Sequence, residues 1–407
     1  MAFDCCNVRP NGEITMKKIL FVHHCSNIGG GSYCLLNIIR TLDQSDLVPI
    51  VLLKKRGPLS EEFSKLGIKV LFLRDITVVP YNKSIFRINS IITYFVLGMS
   101  FLPFKKIINM INPDIVYLNS VMLYPYLRMV KRCGKKSIIH IREHWPLDEH
   151  IHQLRHLQST VGKYADRIIA INRYSASLVK NTEKKTYIVY DWVDFSNRYI
   201  EHDLNEIFGE DVSNKRVFLY AGGVSVLKGV LEVFQAFNHI DGDEYRLLAL
   251  GVDKDAIVSG IRGKIKYLLS KVGWNSYSMR VFNILESDKR IVTYPPIYEI
   301  KDIIEKSYCI LSYFTIPHSN LLLAEGIILG TPVVAARTSE SIEYSENGKY
   351  SILYELKNYH DFQEKITFFI QNDAVCKNNL ARGASIAAER FNPQKNISRL
   401  LNVIDNS

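Results

Sequence analysis

The sequence contains no low-complexity tract and no cysteine or histidine spacing of the kind that binds zinc. Its seven cysteines are odd in number and widely scattered, which argues against a disulfide framework and favours reduced thiols in a cytosolic compartment. Residues 1–15 lack an apolar stretch long enough for a signal peptide. Met16 is a second possible start of translation, so we expect residues 1–15 to be dispensable. A secreted disulfide-rich protein and a zinc module are therefore excluded.

Long apolar runs are also scarce. Residues Ile88 to Phe104 form the main one, and they are followed by Lys105 and Lys106. Polar residues interrupt this run, which falls short of the roughly 20 apolar residues that span a bilayer, so we do not predict a transmembrane helix. Two alternatives stay open: a helix packed in a core, or an interfacial helix that dips into an anionic membrane.

The positive charge is concentrated in one half of the chain. Residues 1–200 contain 28 Lys and Arg against 15 Asp and Glu, whereas residues 201–407 contain 23 against 26. A one-sided basic field attracts phosphate groups, whether in nucleic acid, anionic lipid or a diphosphate substrate. The chain has no interleaved aromatic and basic motif of a known nucleic-acid-binding fold, so we do not expect a nucleic-acid partner.

The order of apolar segments predicts an α/β fold with parallel sheets, because strand-like runs alternate with amphipathic helical stretches from end to end. A chain of 407 residues suits two domains. Each half carries its own strands, which predicts two Rossmann-like domains that face a cleft, with ligands bound beyond the strand ends. The predicted strands are 19–23, 49–53, 70–73, 115–118, 137–141, 167–171 and 186–189, then 216–221, 245–250, 290–293, 309–312, 332–335 and 351–354.

The domain boundaries follow from a polar, acidic segment that lacks sustained apolar periodicity, residues 191–214, which we predict to be the linker. Residues 16–190 then form an N-terminal acceptor domain, and residues 215–385 form a C-terminal donor domain. We expect residues 386–407 to form a helix that packs back on the first domain.

A glycine loop follows the first predicted strand and precedes a helix: Gly29, Gly30 and Gly31. Glycines let backbone N–H groups approach an anion at the positive end of a helix, although a tight turn without a ligand is an alternative. The loop lacks the G-x-G-x-x-G spacing, and the second strand ends in basic residues instead of an acid. A nicotinamide-dependent dehydrogenase is therefore disfavoured.

The fifth predicted strand runs into Arg142, Glu143 and His144, which we predict to be catalytic. Arg142 is a candidate phosphate ligand, and Glu143 or His144 is a candidate to orient or deprotonate an acceptor hydroxyl. The alternative is a surface loop with local ion pairs.

In the second half, glycines and a lysine precede a predicted helix, which suits a diphosphate because N–H groups, helix dipole and ammonium converge. Further on, a carboxylate one turn into another helix can accept two ribose hydroxyls. The alternatives are a solvated lysine beside a turn and an exposed helix charge. The predicted donor-binding residues are Gly222, Gly223, Lys228, His318, Ser319, Asn320, Leu321, Leu322 and Glu325.

Taken in this order, the motifs resemble those of the family 4 group of retaining GT-B glycosyltransferases. The similarity extends from Lys17 to about Arg399. Its matching segments are the glycine loop at 29–31, residues 114–117, 165–171 and 193–194, Gly222 with Lys228 and Gly229, Glu325 with residues 330–334, and residues 346–348.

The resemblance implies a GT-B fold and retaining transfer of a hexose from a nucleotide-diphosphate sugar, with no metal or other cofactor. Lys228 would counter the charge of the leaving group, Glu325 would bind the ribose, and the glycine loop would shape the acceptor site. It also implies a bacterial surface polysaccharide such as capsule or O-antigen, a glycan or polyprenyl-diphosphate-linked acceptor, and a cytoplasmic location, peripheral on the inner face of the membrane.

The chain departs from the family pattern in three places. Arg142 and Glu143 follow the fifth predicted strand, where many members have a histidine. Gly223 occupies a position where the family often has arginine, and Pro317 occupies the position of the first carboxylate in the E-x7-E pattern. That carboxylate usually contacts the donor sugar, so the sugar cannot be inferred, and His318 or Asn320 is a candidate substitute. A sugar-nucleotide epimerase or hydrolase of the same fold is the alternative enzyme, and a non-enzymatic lipid-binding or nucleic-acid-binding protein is a weaker one.

Overall fold

The computed structural model describes residues 16–42, 47–79, 88–143, 145, 151–193, 200–271, 273, 275–297 and 299–407. The chain divides into two compact units. The first comprises residues up to Trp192 together with Pro393–Ser407, and the second comprises Val193–Asn392. The segment 1–15, expected to be dispensable, lies outside the described residues.

Each unit is built on one parallel sheet, ordered β3-β2-β1-β4-β5-β6-β7 in the first and β10-β9-β8-β11-β12-β13 in the second. The apolar runs of the sequence form these strands because both faces of a parallel sheet are covered by helices. The strands are β1 (Lys17–Val22), β2 (Leu47–Leu53), β3 (Lys69–Phe72), β4 (Ile115–Leu118), β5 (Lys136–Ile141), β6 (Arg167–Ala170), β7 (Thr186–Ile188), β8 (Arg216–Ala221), β9 (Tyr245–Leu250), β10 (Ile291–Tyr294), β11 (Cys309–Ser312), β12 (Val333–Arg337) and β13 (Ile352–Glu355).

Helices connect the strands, as expected for right-handed βαβ crossovers. In chain order they are α1 (Gly30–Thr41), α2 (Pro58–Lys65), α3 (Ile88–Ile111), α4 (Leu127–Arg132), α5 (Ile151–Tyr164), α6 (Arg173–Ser177), α7 (Leu204–Phe208), α8 (Val230–Asn238), α9 (Lys254–Val258), α10 (Gly260–Lys271), α11 (Tyr277–Ser287), α12 (Lys301–Lys306), α13 (Leu321–Leu329), α14 (Ser339–Tyr344), α15 (Tyr359–Gln371), α16 (Asp373–Arg390) and α17 (Pro393–Asp405).

The predicted fold class is confirmed: both sheets are parallel, and every predicted strand is present with ends that differ by at most two residues. In each sheet the strand order reverses at one place, between β1 and β4 and between β8 and β11. Loops that leave the carboxyl ends of two such neighbouring strands diverge and leave a crevice where ligands bind.

The boundaries between the units differ from the predicted ones. The second unit begins at Val193 and includes α7, which lies inside the predicted 191–214 linker. Asp203 caps this short helix by accepting a hydrogen bond from the Asn205 N–H at 2.8 Å. A five-residue helix is too short to produce an apolar period in the sequence. The predicted linker therefore included residues of the second unit.

Helix α17 belongs to the first unit, and the return to that unit begins at Pro393 instead of residue 386. Leu400, Val403 and Ile404 are buried in the cluster that contains Ile19 of β1. Lys17 adds a hydrogen bond from its Nζ to the backbone oxygen of Ile404 at 3.2 Å. The last helix therefore completes the core on one face of the first sheet.

Helix α3 is longer than the apolar run in the sequence suggested. It continues through Pro103 and the two lysines to Ile111, because Ile108 and Ile111 return to the core after Lys105 and Lys106 face solvent. By length and composition, Ile91–Ile111 is sufficient to cross a membrane, with 22% of the segment buried. One face of α3 packs on the first unit, so the expectation that the segment is too short to span no longer holds by length alone.

Candidate functional site

Two loops of the second unit leave the reversal point between β8 and β11. They are residues 222–229, after β8, and residues 313–320, after β11. The Thr315 N–H donates to the Leu227 oxygen at 3.0 Å, and the Thr315 hydroxyl donates to the Val226 oxygen at 3.1 Å. The two loops are therefore bonded to each other, and predicted donor-binding residues from separate parts of the sequence lie on one edge of the sheet.

The loop after β8 has a fixed backbone. The phenolic oxygen of Tyr220 lies 3.0 Å from the Gly223 oxygen and 3.2 Å from the Lys228 oxygen, so one hydroxyl holds both ends of the loop. Gly223 has φ 64°, and a Cβ there would lie 3.2 Å from the Gly251 oxygen. A side chain at this position would be strained. This strain favours glycine where the resembling family often has arginine, and the Gly223 N–H donates to the Leu250 oxygen at 3.3 Å.

Lys228 is the cation of this loop. Its side chain is half-buried, and among the described residues its ammonium group has no hydrogen bond or ion pair. Burial lowers the pKa of Lys228, because the charged form loses water without gaining a carboxylate. Helix α8 begins immediately after Gly229, so the backbone of Lys228 lies next to the positive end of a helix. The Leu231 N–H in the first turn already donates to the Tyr277 hydroxyl at 3.1 Å, and an anionic ligand would satisfy the remaining first-turn N–H groups and the ammonium.

Helix α13 presents a second positive end. Asn320 caps it: its Oδ1 accepts from the Leu323 N–H at 3.3 Å, and its Nδ2 donates to the Ser312 hydroxyl at 3.0 Å. The first N–H groups of the helix, those of Leu321 and Leu322, have no intrahelical acceptor and are suited to phosphate oxygens. Since the amide of Asn320 is used in the cap, it cannot replace the carboxylate missing at Pro317 without uncapping α13.

The other predicted residues of this loop lie on its outer side. His318 is exposed, with its ring edge-on to Phe314 at 5.6 Å between centroids, and Ser319 is half-buried.

Glu325 lies one turn inside α13. Burial raises its pKa to about 7, and the nearby charge of Glu299 adds to the shift. Glu299 was not predicted as a site residue. It lies between β10 and α12, at the carboxyl end of a strand of the same sheet, and this position was the signal that could have identified it. Among the described residues, no group of three or more His, Cys, Asp and Glu side chains could hold a metal ion; independence of metal stays a prediction.

In the first unit, a chain of hydrogen bonds starts at Arg142. Its Nε donates to Asn119 Oδ1 at 2.9 Å, and Asn119 Nδ2 donates to His23 Nδ1 at 3.2 Å and to the Gly31 oxygen at 3.2 Å. Because arginine can only donate, this pattern orients the amide and places the histidine proton on Nε2. His23 Nε2 then donates to the Ser32 hydroxyl at 3.0 Å. The chain fixes the first turn of α1 relative to the strand ends.

Arg142 is held beside the glycine loop, since a Cβ on Gly31 would lie 3.8 Å from Arg142 Cδ. Burial alone would lower the pKa of Arg142, but Asp191, Cys34 and Tyr117 together raise it above its usual value. Its buried Nη2 has no hydrogen-bond partner among the described residues. A Cβ on Gly29 or Gly30 would meet no atom within 4 Å, so the end of α1 is open. This arrangement is a second candidate anion site.

Both carboxylate oxygens of Glu143 accept hydrogen bonds. One accepts from the Ser120 hydroxyl, and the other accepts from the N–H groups of Val121 at 2.9 Å and Arg142 at 3.2 Å. Burial raises the pKa of Glu143, and these hydrogen bonds oppose the shift. The contacts suit a residue that joins the loops after β4 and β5, whereas the predicted role as a base needs a free oxygen. His144 lies outside the described residues.

Sequence reasoning missed His23, Asn119, Ser120 and Asp191. Each follows a strand of the first sheet within three residues, and a polar residue directly after a buried strand was the available signal.

No protein-family model matches the chain, and no curated protein sequence matches it. Solved structures do match. HepE of Anabaena in complex with UDP-glucose is similar over 96% of this chain and 100% of its own, with a TM-score of 0.72 and 17% sequence identity. A glycosyltransferase of Rickettsia africae gives a TM-score of 0.69 and 17% identity over the same shares.

A third structure bears on the alternative activity. A Listeria monocytogenes protein described as a UDP-N-acetylglucosamine 2-epimerase matches 96% of this chain and 96% of its own, with a TM-score of 0.61 and 13% identity. The chain therefore has the fold of two Rossmann-like domains that GT-B glycosyltransferases share with such an epimerase.

Proposed function

We propose that the protein is a retaining glycosyltransferase that moves a hexose from a nucleotide-diphosphate sugar to a glycan or polyprenyl-diphosphate-linked acceptor. The observation that carries this proposal is the half-buried ammonium of Lys228, which has no partner among the described residues and belongs to the loop just before α8; this loop is bonded to the one that leads into α13. A diphosphate would supply the missing partner, and Glu325 on α13 is proposed to accept the two ribose hydroxyls.

The proposed reaction breaks the bond between the anomeric carbon and the diphosphate, and charge builds up on the leaving phosphate. Lys228 and the helix N-termini stabilise that charge without a metal. Retention rests on the resemblance to family 4: the acceptor oxygen attacks from the face of the leaving group, and its proton passes to the leaving phosphate. Glu143, whose oxygens are occupied, is then needed only to hold the loop that carries Arg142.

The first unit is proposed to bind the acceptor. The open end of α1 and Nη2 of Arg142, which has no partner in the part of the chain that the structure describes, suit an anionic group, such as the diphosphate of a lipid-linked acceptor. Such an acceptor places the enzyme in the assembly of a surface polysaccharide, of the capsule or O-antigen type, at the cytoplasmic face of the membrane.

We expect one of UDP-, GDP-, dTDP- or ADP-hexose to raise the melting temperature of the protein. A ligand at 100 times its dissociation constant stabilises the folded state by about 2.7 kcal/mol. Differential scanning fluorimetry measures this shift, and Glu325→Ala, as the control, should not respond. Lack of stabilisation by all four nucleotide sugars would contradict the donor-site assignment.

The same donor, incubated without an acceptor, separates transferase from epimerase. We expect at most slow hydrolysis of the donor, which NMR of the sugar measures. Conversion of the donor into its epimer would overturn the transferase proposal in favour of the alternative.

Attachment to the membrane surface is proposed to occur through α3. The side of α3 that faces the core consists of Leu97, Ser100, Phe104 and Ile108. The opposite side is apolar and exposed, and it is followed along the helix by two exposed lysines. This outward stripe consists of Ile91 (56% exposed), Phe95 (68%), Met99 (54%) and Leu102 (69%). An apolar stripe next to lysines is typical of a helix that lies in the interface of an anionic membrane.

The double substitution Phe95→Ser and Leu102→Ser is expected to lower binding to anionic vesicles at least tenfold, because two large apolar side chains no longer enter the interface. Co-sedimentation with phosphatidylglycerol-containing vesicles measures the effect. Phe72→Ser removes another exposed aromatic side chain of the first unit and serves as the control. Equal binding of the double variant and the wild type would refute this role of α3.

A further inference from the structure

Helix α10 of the second unit is exposed to an unusual extent. Ile261 is 80% exposed, Leu268 66% and Ile265 50%. Its described contacts with the rest of the unit are small: Tyr267 lies edge-on to Phe282 at 6.1 Å, and a Cβ on Gly263 would lie 2.5 Å from the carbonyl carbon of Val258. Among the described residues, none covers the apolar face of α10, although helices of globular proteins normally bury such a face.

The apolar residues of α10 form one stripe. Ile261, Ile265, Leu268 and Leu269 follow the i, i+4, i+7, i+8 spacing, which places them on one side of a helix. Gly263 and Tyr267, which contact the rest of the unit, and the half-buried Ser270 fall on the opposite side. The stripe therefore points away from the second unit.

Basic residues accompany the stripe. Lys264 and Lys266 are exposed. Because successive residues of a helix are rotated by about 100°, these two lysines lie on opposite flanks of the stripe. The segment 259–274 also contains Arg262 and Lys271 and has no acidic residue, although residues 201–407 as a whole carry a slight excess of acid. This segment therefore carries four of the 23 Lys and Arg residues of the second half, with no acidic residue among them.

We infer that α10 binds the surface of an anionic phospholipid bilayer and lies in the plane of the interface. The stripe would enter the boundary between headgroups and acyl chains, while Lys264 and Lys266 extend their ammonium groups to lipid phosphates on both sides. A second copy of α10 fits less well as the occupant, because pairing would bring two strongly basic helices together. This contact is carried by the donor unit and does not depend on α3 or on the reaction proposed above.

The test measures vesicle binding of the full chain in the background Phe95→Ser/Leu102→Ser, so that α3 does not mask α10. Two variants are compared in this background, Ile265→Ser/Leu268→Ser and Lys264→Gln/Lys266→Gln. Val375→Ser, which removes an exposed apolar side chain from α16, is the matched control. All replaced side chains face solvent, so folding should be preserved and is checked by circular dichroism.

We expect the serine variant to lose at least tenfold in binding to vesicles of phosphatidylcholine with phosphatidylglycerol. The glutamine variant should lose roughly 25-fold, at about fivefold per lysine, and binding should weaken in about 1 M salt or on phosphatidylcholine alone. The control should bind as its parent does. Unchanged vesicle binding by both variants overturns the proposal, as does a loss of self-association by light scattering without a loss of vesicle binding.

The two proposals fail separately. Stabilisation by a nucleotide sugar should be the same in the α10 variants and in their parent, since α10 contributes no residue to the donor site. A loss of that stabilisation together with lipid binding would mean that the unit has misfolded, and would overturn the assignment of α10 as an independent lipid-binding element.

Discussion

Replacement of Lys228 by alanine is expected to lower the rate of glycosyl transfer by about 10² to 10³-fold, or about 2.7–4 kcal/mol in activation free energy. The ammonium group is half-buried and unpaired among the described residues, and burial lowers its pKa, so it gains most when negative charge develops on the leaving phosphate. Steady-state release of the nucleotide diphosphate, with the donor identified by thermal stabilisation, measures this effect.

Two variants control this experiment. Lys215→Ala removes a lysine that pairs with Asp243 at the amino end of β8, away from the loop after that strand, and should retain full activity. Lys228→Arg keeps the charge and should recover part of the rate. A folded Lys228→Ala protein with a turnover close to that of the wild type would show that Lys228 does not stabilise the leaving group.

Substitution of Glu325 by glutamine is expected to weaken donor binding by about tenfold to 100-fold, because hydrogen bonds from ribose hydroxyls to a charged carboxylate contribute about 1.5–3 kcal/mol. The pH dependence is more specific. In the free site the pKa of Glu325 is about 7, and hydroxyl donors lower it in the complex. Binding therefore releases a proton below pH 7, so affinity should rise by up to tenfold per pH unit towards pH 7 and level off above it.

Titration calorimetry with the intact nucleotide sugar measures this profile, since its diphosphate does not titrate in that range. Glu325→Gln should bind with little dependence on pH. Glu364→Gln, at an exposed position of α15, is the control and should reproduce the wild-type profile. A pH-dependent rise in affinity that survives in Glu325→Gln would assign the titration to another group.

Most strands could be predicted because the inner ones are buried on both faces, so their sequences are continuous apolar runs bounded by turns, whereas the edge strands β3 and β7 are only partly buried. Helices were harder to delimit. Helix α7 is too short for a period, and α3 continues past Phe104 because residues 108 and 111 return to the core. In both cases the outcome depended on tertiary packing, which local sequence does not encode.

Lys228 and Glu325 could be proposed from the sequence because each follows a strand end by a spacing that matches a known pattern, and their roles stay predictions. The network of Arg142, Asn119 and His23 could not, because its members are far apart in sequence and meet only when β1, β4 and β5 align. The conformation of Gly223 likewise depends on Gly251, at the end of a different strand.

The placement of α17 has a consequence for how the chain folds during synthesis. The second unit is continuous in sequence, from Val193 to Asn392, and can fold as soon as it leaves the ribosome. The first unit is synthesised earlier but lacks Leu400, Val403 and Ile404 until α17 is made, so the sheet face that α1 and α2 also pack against is only partly covered meanwhile. The unit that begins first is therefore completed last, and a chain that stops before Pro393 would have a complete second unit and an incomplete core on one face of the first sheet.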